Sequence, residues 1–263
     1  MTRSPLFLAA LTALVLTGCG MFGDKIDPRN WTVEQHYKNA KAELDSGNFA
    51  GAVKAYEALE AKFPFGRYAQ QSNLDIAYAN YMDNETAASV AAADKFMKLY
   101  PNHPNVDYAL YIKALAYFKP DLGIFGDLLN LDPAERDPKS LRESFEVFKD
   151  LIVRFPDSIY ADDSRKRMAY LVNSLAKSDV ATARYYYARG AYVAAVNRAE
   201  NVMKRYPQAP ANEDALVITI QAYEAMGQKS LADNLRRVLQ KNFPNNVMVA
   251  VPGSVRSPWW KLW

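Results

Sequence analysis

The chain has 263 residues, of which 50% are hydrophobic and 23% charged, with 32 Lys and Arg against 29 Asp and Glu. This composition is typical of a packed protein and excludes wholesale disorder, collagen-like sequence and a multi-span membrane protein. A single cysteine excludes an internal disulfide framework and a Cys-based zinc site. The net charge of +3 gives no electrostatic reason to expect nucleic acid as a partner, and only two histidines are available for metal or acid–base chemistry.

Residues 1–18 are predicted to form a secretory signal peptide. Arg3 supplies the positive charge of such a peptide, the run Leu6–Leu16 is apolar apart from Thr12, and two small residues follow it. The run has 11 residues, whereas a helix that crosses the hydrocarbon core needs about 20. The sequence therefore disfavours a permanent transmembrane anchor at this end.

The only cysteine closes the segment Leu16-Thr17-Gly18-Cys19, which resembles the lipobox of bacterial lipoproteins. The resemblance implies cleavage before Cys19, a diacylglycerol on its thiol and an acyl chain on its new amine. Three acyl chains would hold the protein to a membrane far more firmly than one. Asp at position 20 would resemble an inner-membrane retention signal, so Gly20 favours the outer membrane. The alternative is a plain secretory peptide with a chance cysteine.

From Val33 onward, apolar residues recur at spacings of three and four, which predicts successive helices and almost no strands. An aromatic residue followed by proline recurs at Phe63-Pro64, Tyr100-Pro101, Phe155-Pro156, Tyr206-Pro207 and Phe243-Pro244. Relative to these prolines, two sets of small residues share fixed offsets: Gly47, Gly190 and Gly227, and Ala52, Ala195 and Ala232. The pattern resembles the tetratricopeptide repeat, a helix–turn–helix unit. We therefore expect an all-α tetratricopeptide-repeat superhelix of about five units with an extended concave surface.

The repeats predict a linear domain organisation. After the signal peptide we expect a lipidated linker, an N-terminal half with repeats one to three, a C-terminal half with repeats four and five, and a flexible Trp-rich tail, at residues 19–32, 33–156, 157–244 and 245–263. Repeat two lacks the glycine, repeat three carries an insertion at 119–139, and an extra helix at about 162–176 precedes repeat four. The tail holds three of the four tryptophans. It is either a disordered extension or a segment that docks on a membrane surface or a hydrophobic groove.

Several short motifs accompany the lipobox and the repeats. They are Pro64-Phe65-Gly66, His103-Pro104-Asn105, Arg136-Asp137-Pro138 and Arg189-Gly190-Ala191. Together they make the chain resemble the BamD family, lipoproteins of the bacterial β-barrel assembly (BAM) machinery. The resemblance implies a periplasm-facing protein, anchored in the inner leaflet of the outer membrane, that joins other BAM lipoproteins. It also implies binding to the last POTRA domain of BamA and to unfolded outer-membrane β-barrel precursors.

The sequence predicts a non-enzymatic scaffold and substrate receptor without metal or cofactor other than the lipid at Cys19. Two other functions compete with this interpretation. One is a tetratricopeptide lipoprotein that serves type IV pilus secretin assembly or envelope division. The other is a periplasmic enzyme with helical repeats, which would need a catalytic motif. The sequence contains no Walker A, G-x-S-x-G or H-E-x-x-H motif, and the G-x-G-x-x-G match at residues 18–23 is discarded because no strand precedes it and cleavage before Cys19 would divide it.

A shift of 37 residues aligns the first helices of repeats two and three, and the aligned positions line the concave groove in the tetratricopeptide pattern. Aromatic rings with polar tips suit an extended peptide because they give apolar contact area and hydrogen bonds at low entropic cost. We therefore predict that these positions bind a substrate peptide: Tyr37, Tyr68, Gln71, Tyr78, Tyr81, Tyr108 and Tyr111. The alternative is that they belong to the core between helices.

Arg189 and Arg198 flank the turn and second helix of repeat four. A planar guanidinium suits a fixed carboxylate on a partner. Through the family resemblance we expect these two arginines to contact BamA. The alternative is that each forms an ion pair within the chain.

Overall fold

The computed structural model describes residues 28–118 and 138–246. After a 3-10 turn at Pro28–Asn30, these ranges contain ten α-helices and no strand. The helices are α1 (Val33–Asp45), α2 (Phe49–Lys62), α3 (Arg67–Met82), α4 (Thr86–Leu99), α5 (Val106–Phe118), α6 (Pro138–Arg154), α7 (Ala161–Ala188), α8 (Tyr192–Arg205), α9 (Asn212–Ala225) and α10 (Lys229–Asn242). The predicted all-α fold of helix–turn–helix repeats is confirmed. The predictions for Cys19, for most of the insertion and for the tail beyond Asn246 lie outside the described residues.

The chain divides into two compact units between Ser72 and Asn73, inside α3. In the first unit α1 packs against α2, and Ala40, Tyr56 and Leu59 are fully buried. In the second unit, helices that are neighbours in sequence pack against each other from α4 to α10, and α7 also contacts α9. The predicted boundary between the N-terminal and C-terminal halves of the repeats, at residue 156, is not the same boundary and stays a prediction.

Residues with positive φ end the first helices of four repeats. Gly47, Gly190 and Gly227 have φ of 81°, 75° and 75°, a region where glycine avoids the clash of a Cβ atom. At Gly190 the N–H donates to the carbonyl of Tyr187 at 2.9 Å, and the next N–H donates to Tyr186 at 3.0 Å. These two bonds form a Schellman motif. Repeat two has Asn84 at the same offset, with φ of 66°, so asparagine replaces the missing glycine there.

The aromatic–proline pairs end the second helices. Phe63, Tyr100, Tyr206 and Phe243 have φ between −129° and −133°, and each N–H still donates to the residue four positions earlier. Proline excludes the helical region for the residue that precedes it. The last helical residue therefore lies two positions before each proline, and the aromatic residue between them is the C-cap.

The small residues of the second helices lie where two helices approach each other. Ala52, Ala195 and Ala232 have no exposed surface. Repeats two and three carry Ser89 and Ser144 at the same offset, and both are fully buried. Their hydroxyls donate to carbonyls of the preceding first helices, at 2.9 Å to Ala77 and 3.0 Å to Ala114. These two serines are absent from the predicted small positions, although their offset from Pro101 and Pro156 matches that of the alanines.

The extra helix predicted at 162–176 is wrong as a separate element. The structure has one continuous helix of 28 residues, α7, which also forms the first helix of repeat four. The segment contains neither glycine nor proline, so nothing in it ends a helix. Leu171, Leu175 and Val180 are buried along its length in the largest core cluster of the second unit.

Candidate partner-binding surfaces

In the first unit, the structure brings together two of the predicted peptide-binding residues. Tyr37 is half-buried, with its ring centroid 5.2 Å from that of Tyr68 and 5.7 Å from that of the buried Tyr56. The hydroxyl of Tyr68 accepts a hydrogen bond from Arg67 at 3.1 Å, and the same guanidinium lies 4.8 Å from the ring. Gln71 is also half-buried and lies three residues after Tyr68 on α3, hence on the same helix face.

In the second unit, the remaining four residues are also half-buried and pack against its largest core cluster. The rings of Tyr78 and Tyr81 lie 6.4 Å apart. Tyr108 and Tyr111 both contact Tyr160 at the start of α7, at centroid distances of 5.5 and 4.6 Å. Burial raises the pKa of Tyr108, so its phenol is neutral at physiological pH.

Tyr111 is further tied to α7 by a charged pair. Its hydroxyl donates to Asp163 at 2.7 Å, and Arg167 Nε donates to the same carboxylate oxygen at 2.5 Å. Burial alone would raise the pKa of Asp163, but the hydrogen bonds from Arg167 and Tyr111 outweigh it and lower that pKa. Burial and the bond to Asp163 raise the pKa of Tyr111 to about 12. The hydroxyl proton of Tyr111 is therefore held in the hydrogen bond to Asp163. The aromatic ring of Tyr111 is the part that a ligand can contact.

The structure thus gives each predicted tyrosine a packing role and a partly exposed surface at once. Tyr160, which is not among the predicted residues, stacks on Tyr111 and contacts Tyr108. A signal for it existed, because Tyr160 follows Pro156 at the same offset by which Tyr68 follows Pro64. The seven residues remain candidates for peptide binding.

The turn between α7 and α8 presents a surface that is both aromatic and basic, here called the repeat-four turn (residues 185–198). Tyr185 and Val193 are 53% and 64% exposed, which is high for large apolar side chains. The guanidinium of Arg189 lies 4.6 Å from the Tyr185 ring, and that of Arg198 lies 6.0 Å from the Tyr186 ring. The Schellman turn at Gly190 joins the two helices that carry these aromatic and basic side chains.

The two arginines of this turn are exposed, and within the described residues neither forms an ion pair with a carboxylate. The nearby Asp214 lies 3.4 Å from Arg184 instead. The assignment of Arg189 and Arg198 to a contact with BamA stays a prediction. An aromatic ring under each guanidinium restrains it while its donor edge stays accessible.

The described residues offer little for other kinds of site. No group of three or more His, Cys, Asp or Glu in these ranges is arranged to hold a metal ion. No helix among them is both long and apolar enough to cross a membrane. His103 serves a turn, because its Nδ1 accepts from the N–H of Asn105 at 3.1 Å and its ring packs edge-on against Phe96.

Comparisons with known proteins give the family of this chain. The family model YfiO, described as an outer membrane lipoprotein, matches residues 29–238. The outer membrane protein assembly factor BamD of Neisseria meningitidis serogroup B is 42% identical, over 98% of this chain and 98% of that protein. The proteins of the same name from Vibrio cholerae and Xylella fastidiosa Temecula1 are 36% and 35% identical, over 89% and 92% of this chain and 97% and 84% of their own lengths.

The fold and the match define a tetratricopeptide-repeat lipoprotein of the outer membrane. The relatives share their name at 32–42% identity across most of their lengths. The chain belongs to the YfiO/BamD family of outer membrane lipoproteins.

Proposed function

We propose that the protein is a non-enzymatic scaffold and substrate receptor of the outer-membrane β-barrel assembly complex. The observation that carries the proposal is the near full-length match to relatives named outer membrane protein assembly factor. The relatives do not favour the alternative role in pilus secretin assembly or envelope division. Depletion of the protein tests the role: the amount of folded porins in the outer membrane should fall, and unchanged porins with failing pili or division would refute it.

The proposal includes a lipid anchor at Cys19 and a repeat region that faces the periplasm from the inner leaflet of the outer membrane. The support is the lipobox sequence together with the family description. Mass spectrometry of the mature N-terminus would test it. The expected N-terminal residue is Cys19 with an S-diacylglycerol and an N-acyl group, whereas Cys19→Ser should leave the precursor uncleaved and unlipidated. An unmodified Cys19 in the membrane-bound protein would contradict it.

The repeat-four turn is proposed to bind the last POTRA domain of BamA. Its support is the pair of exposed guanidiniums held over tyrosine rings beside exposed Val193. Such donors suit a carboxylate on a partner, and burying that ion pair with exposed apolar groups gives both specificity and contact area. The proposed partners also include the other lipoproteins of the complex.

Charge reversal tests this surface. Arg198→Glu should reduce co-purification of BamA by roughly tenfold or more, because loss of a charged hydrogen bond at an interface costs about 2–5 kcal/mol. The matched control is Arg237→Glu in α10, which is exposed and donates a hydrogen bond to the neutral Asn234. Helical circular dichroism should be unchanged in both variants. Equal BamA recovery from the two variants would remove Arg198 from the interface.

The seven predicted peptide-binding residues are proposed to contact unfolded β-barrel precursors. The support is the partial exposure of all seven and the aromatic rings of the six tyrosines, with Tyr37 beside Tyr68 in one unit and with Tyr108 and Tyr111 both against Tyr160 in the other. A photo-crosslinker placed at Tyr68 or Tyr108 should label a peptide from the C-terminal strand of a barrel protein. The control position is exposed Val153 on α6. Labelling from Val153 but from neither tyrosine would show that these residues serve only the core.

A further inference from the structure

The second unit contains a pocket that belongs to neither proposed surface. It is a half-open cleft with a volume of about 630 Å³, lined by residues of α6, α7 and the turn that follows α8. Its apolar wall includes Phe145, Val172 and Leu175, while Arg142 and Arg205 are exposed at its edge. The volume lies within the range of pockets that hold small organic groups, about 300–1,000 Å³.

The pocket is chemically suited to a large aromatic side chain. Apolar groups from two helices would cover the faces of a flat ring, and Leu175 is only 4% exposed at the base. Two guanidiniums at the edge can each lie over a ring, and indole is the aromatic group that binds cations best. Arg205 already lies 5.5 Å from the ring of Tyr206 and 3.9 Å from Asp179, so its position is restrained.

The described chain ends close to this pocket. Asn246 donates from Nδ2 to Glu213 at 2.6 Å, which fixes the end of the described chain at the first turn of α9. Glu213 follows the pocket residue Pro207 by six positions, a separation of at most about 22 Å even if those positions were fully extended. The backbone from Asn246 to Trp259 can span up to about 45 Å. The tryptophans can therefore reach the pocket with slack.

We propose that the segment 247–263 of this chain binds intramolecularly in the pocket, with Trp259 or Trp260 against Val172 and Leu175. Three tryptophans in the last five residues match an aromatic-walled pocket edged by arginine. Covalent linkage through only 13 residues gives the segment an effective concentration in the millimolar range. Docking therefore needs only a modest intrinsic affinity, which one indole and a cation–π contact can supply.

Photo-crosslinking locates the segment. The full-length lipoprotein is purified in detergent with benzoylphenylalanine in place of Trp260, an aromatic and apolar substitute for the indole. After irradiation, mass spectrometry should find intrachain crosslinks to α6 or α7 at Phe145, Val172 or Leu175. Crosslinks to the exposed Leu231 and Val238 of α10, to detergent, to a second chain, or to nothing would each overturn the proposal.

Pocket variants provide the matched comparison. Val172→Lys places a charge on the pocket wall and should lower the crosslink yield by roughly tenfold, which corresponds to about 1.4 kcal/mol. Val153→Lys on α6 is the control, because Val153 is 72% exposed and does not line the pocket. If Val172→Lys loses its helical signal, Arg142→Ala at the exposed edge replaces it, with an expected loss of roughly twofold to fivefold from the cation–π contact. Equal yields from pocket and control variants would refute docking.

Discussion

Ser144 allows a sharp test of how the repeats pack. It is fully buried in α6, and its hydroxyl donates to the carbonyl of Ala114 in α5 at 3.0 Å. The proposed perturbation is a pair of substitutions, Ser144→Ala and Ser144→Leu. The first removes the hydrogen bond and keeps the size of Cβ, whereas the second also forces three carbon atoms into the contact between two helices.

The expected losses of stability follow from the lost hydrogen bond and from the added side-chain volume. Loss of the hydrogen bond costs about 1 kcal/mol, and alanine returns about 0.5 kcal/mol through its higher helix propensity. Ser144→Ala should therefore lower the free energy of unfolding by about 0.5 kcal/mol. Overpacking a filled site costs about 1–3 kcal/mol. Since the hydrogen bond is lost as well, Ser144→Leu should cost about 2–4 kcal/mol.

Urea unfolding followed by helical circular dichroism measures both values, with Glu143→Ala on the exposed side of α6 as the control. The m-value should be unchanged in all variants, so that the shift in midpoint reports stability. The expected order of destabilisation is Leu well above Ala, with the control within about 0.5 kcal/mol of the parent. A Ser144→Leu protein as stable as the control would show that α5 and α6 do not touch at this position.

Two further outcomes are expected. Gly190→Ala should lower the free energy of unfolding, measured by thermal unfolding, by about 1–2 kcal/mol because φ is 75° there. Gly190→Asn should lower it less, since asparagine already occupies the equivalent position of repeat two at Asn84. Equal losses of stability in the two variants would refute the backbone explanation. Asp163→Asn should lower the melting temperature at pH 7. The difference from the parent should shrink as the pH falls below the ordinary value of 3.8 and through the lowered pKa of Asp163, because the charged carboxylate stabilises the fold only above that range. A difference that stays constant with pH would refute the role of its charge.

Much of the fold could be predicted because each repeat carries local signals. Three signals determine where each repeat turns and packs: a glycine that needs positive φ, an aromatic residue before proline, and a small residue at a fixed offset. Each signal depends on only a few neighbouring residues, so it can be identified without knowledge of the tertiary structure. The same logic extends to Asn84, which substitutes for glycine because asparagine tolerates that conformation. The continuity of α7 was missed because an expected repeat boundary was placed where no residue ends a helix.

The candidate surfaces could be predicted less completely. The exposure of Arg189 and Arg198 and the tyrosine rings beneath them depend on where α7 and α8 lie in space. The sharing of Asp163 between Tyr111 and Arg167 joins residues 52 positions apart, which no local pattern reveals. The pocket beside Phe145 likewise arises from three segments that only the fold brings together.

The ties between α5 and its neighbours have a consequence for protein engineering. Ser144 binds the carbonyl of Ala114, and Asp163 binds Tyr111, so α5 is fixed to α6 and α7 by contacts within the helices themselves. The chain runs from Phe118 to Pro138 through the 19 residues 119–137. Doubling the length of such a connection costs only about 0.6 kcal/mol in closure entropy. A reporter domain inserted between Phe118 and Pro138 should therefore leave the contacts of Ala114 and Tyr111 in place.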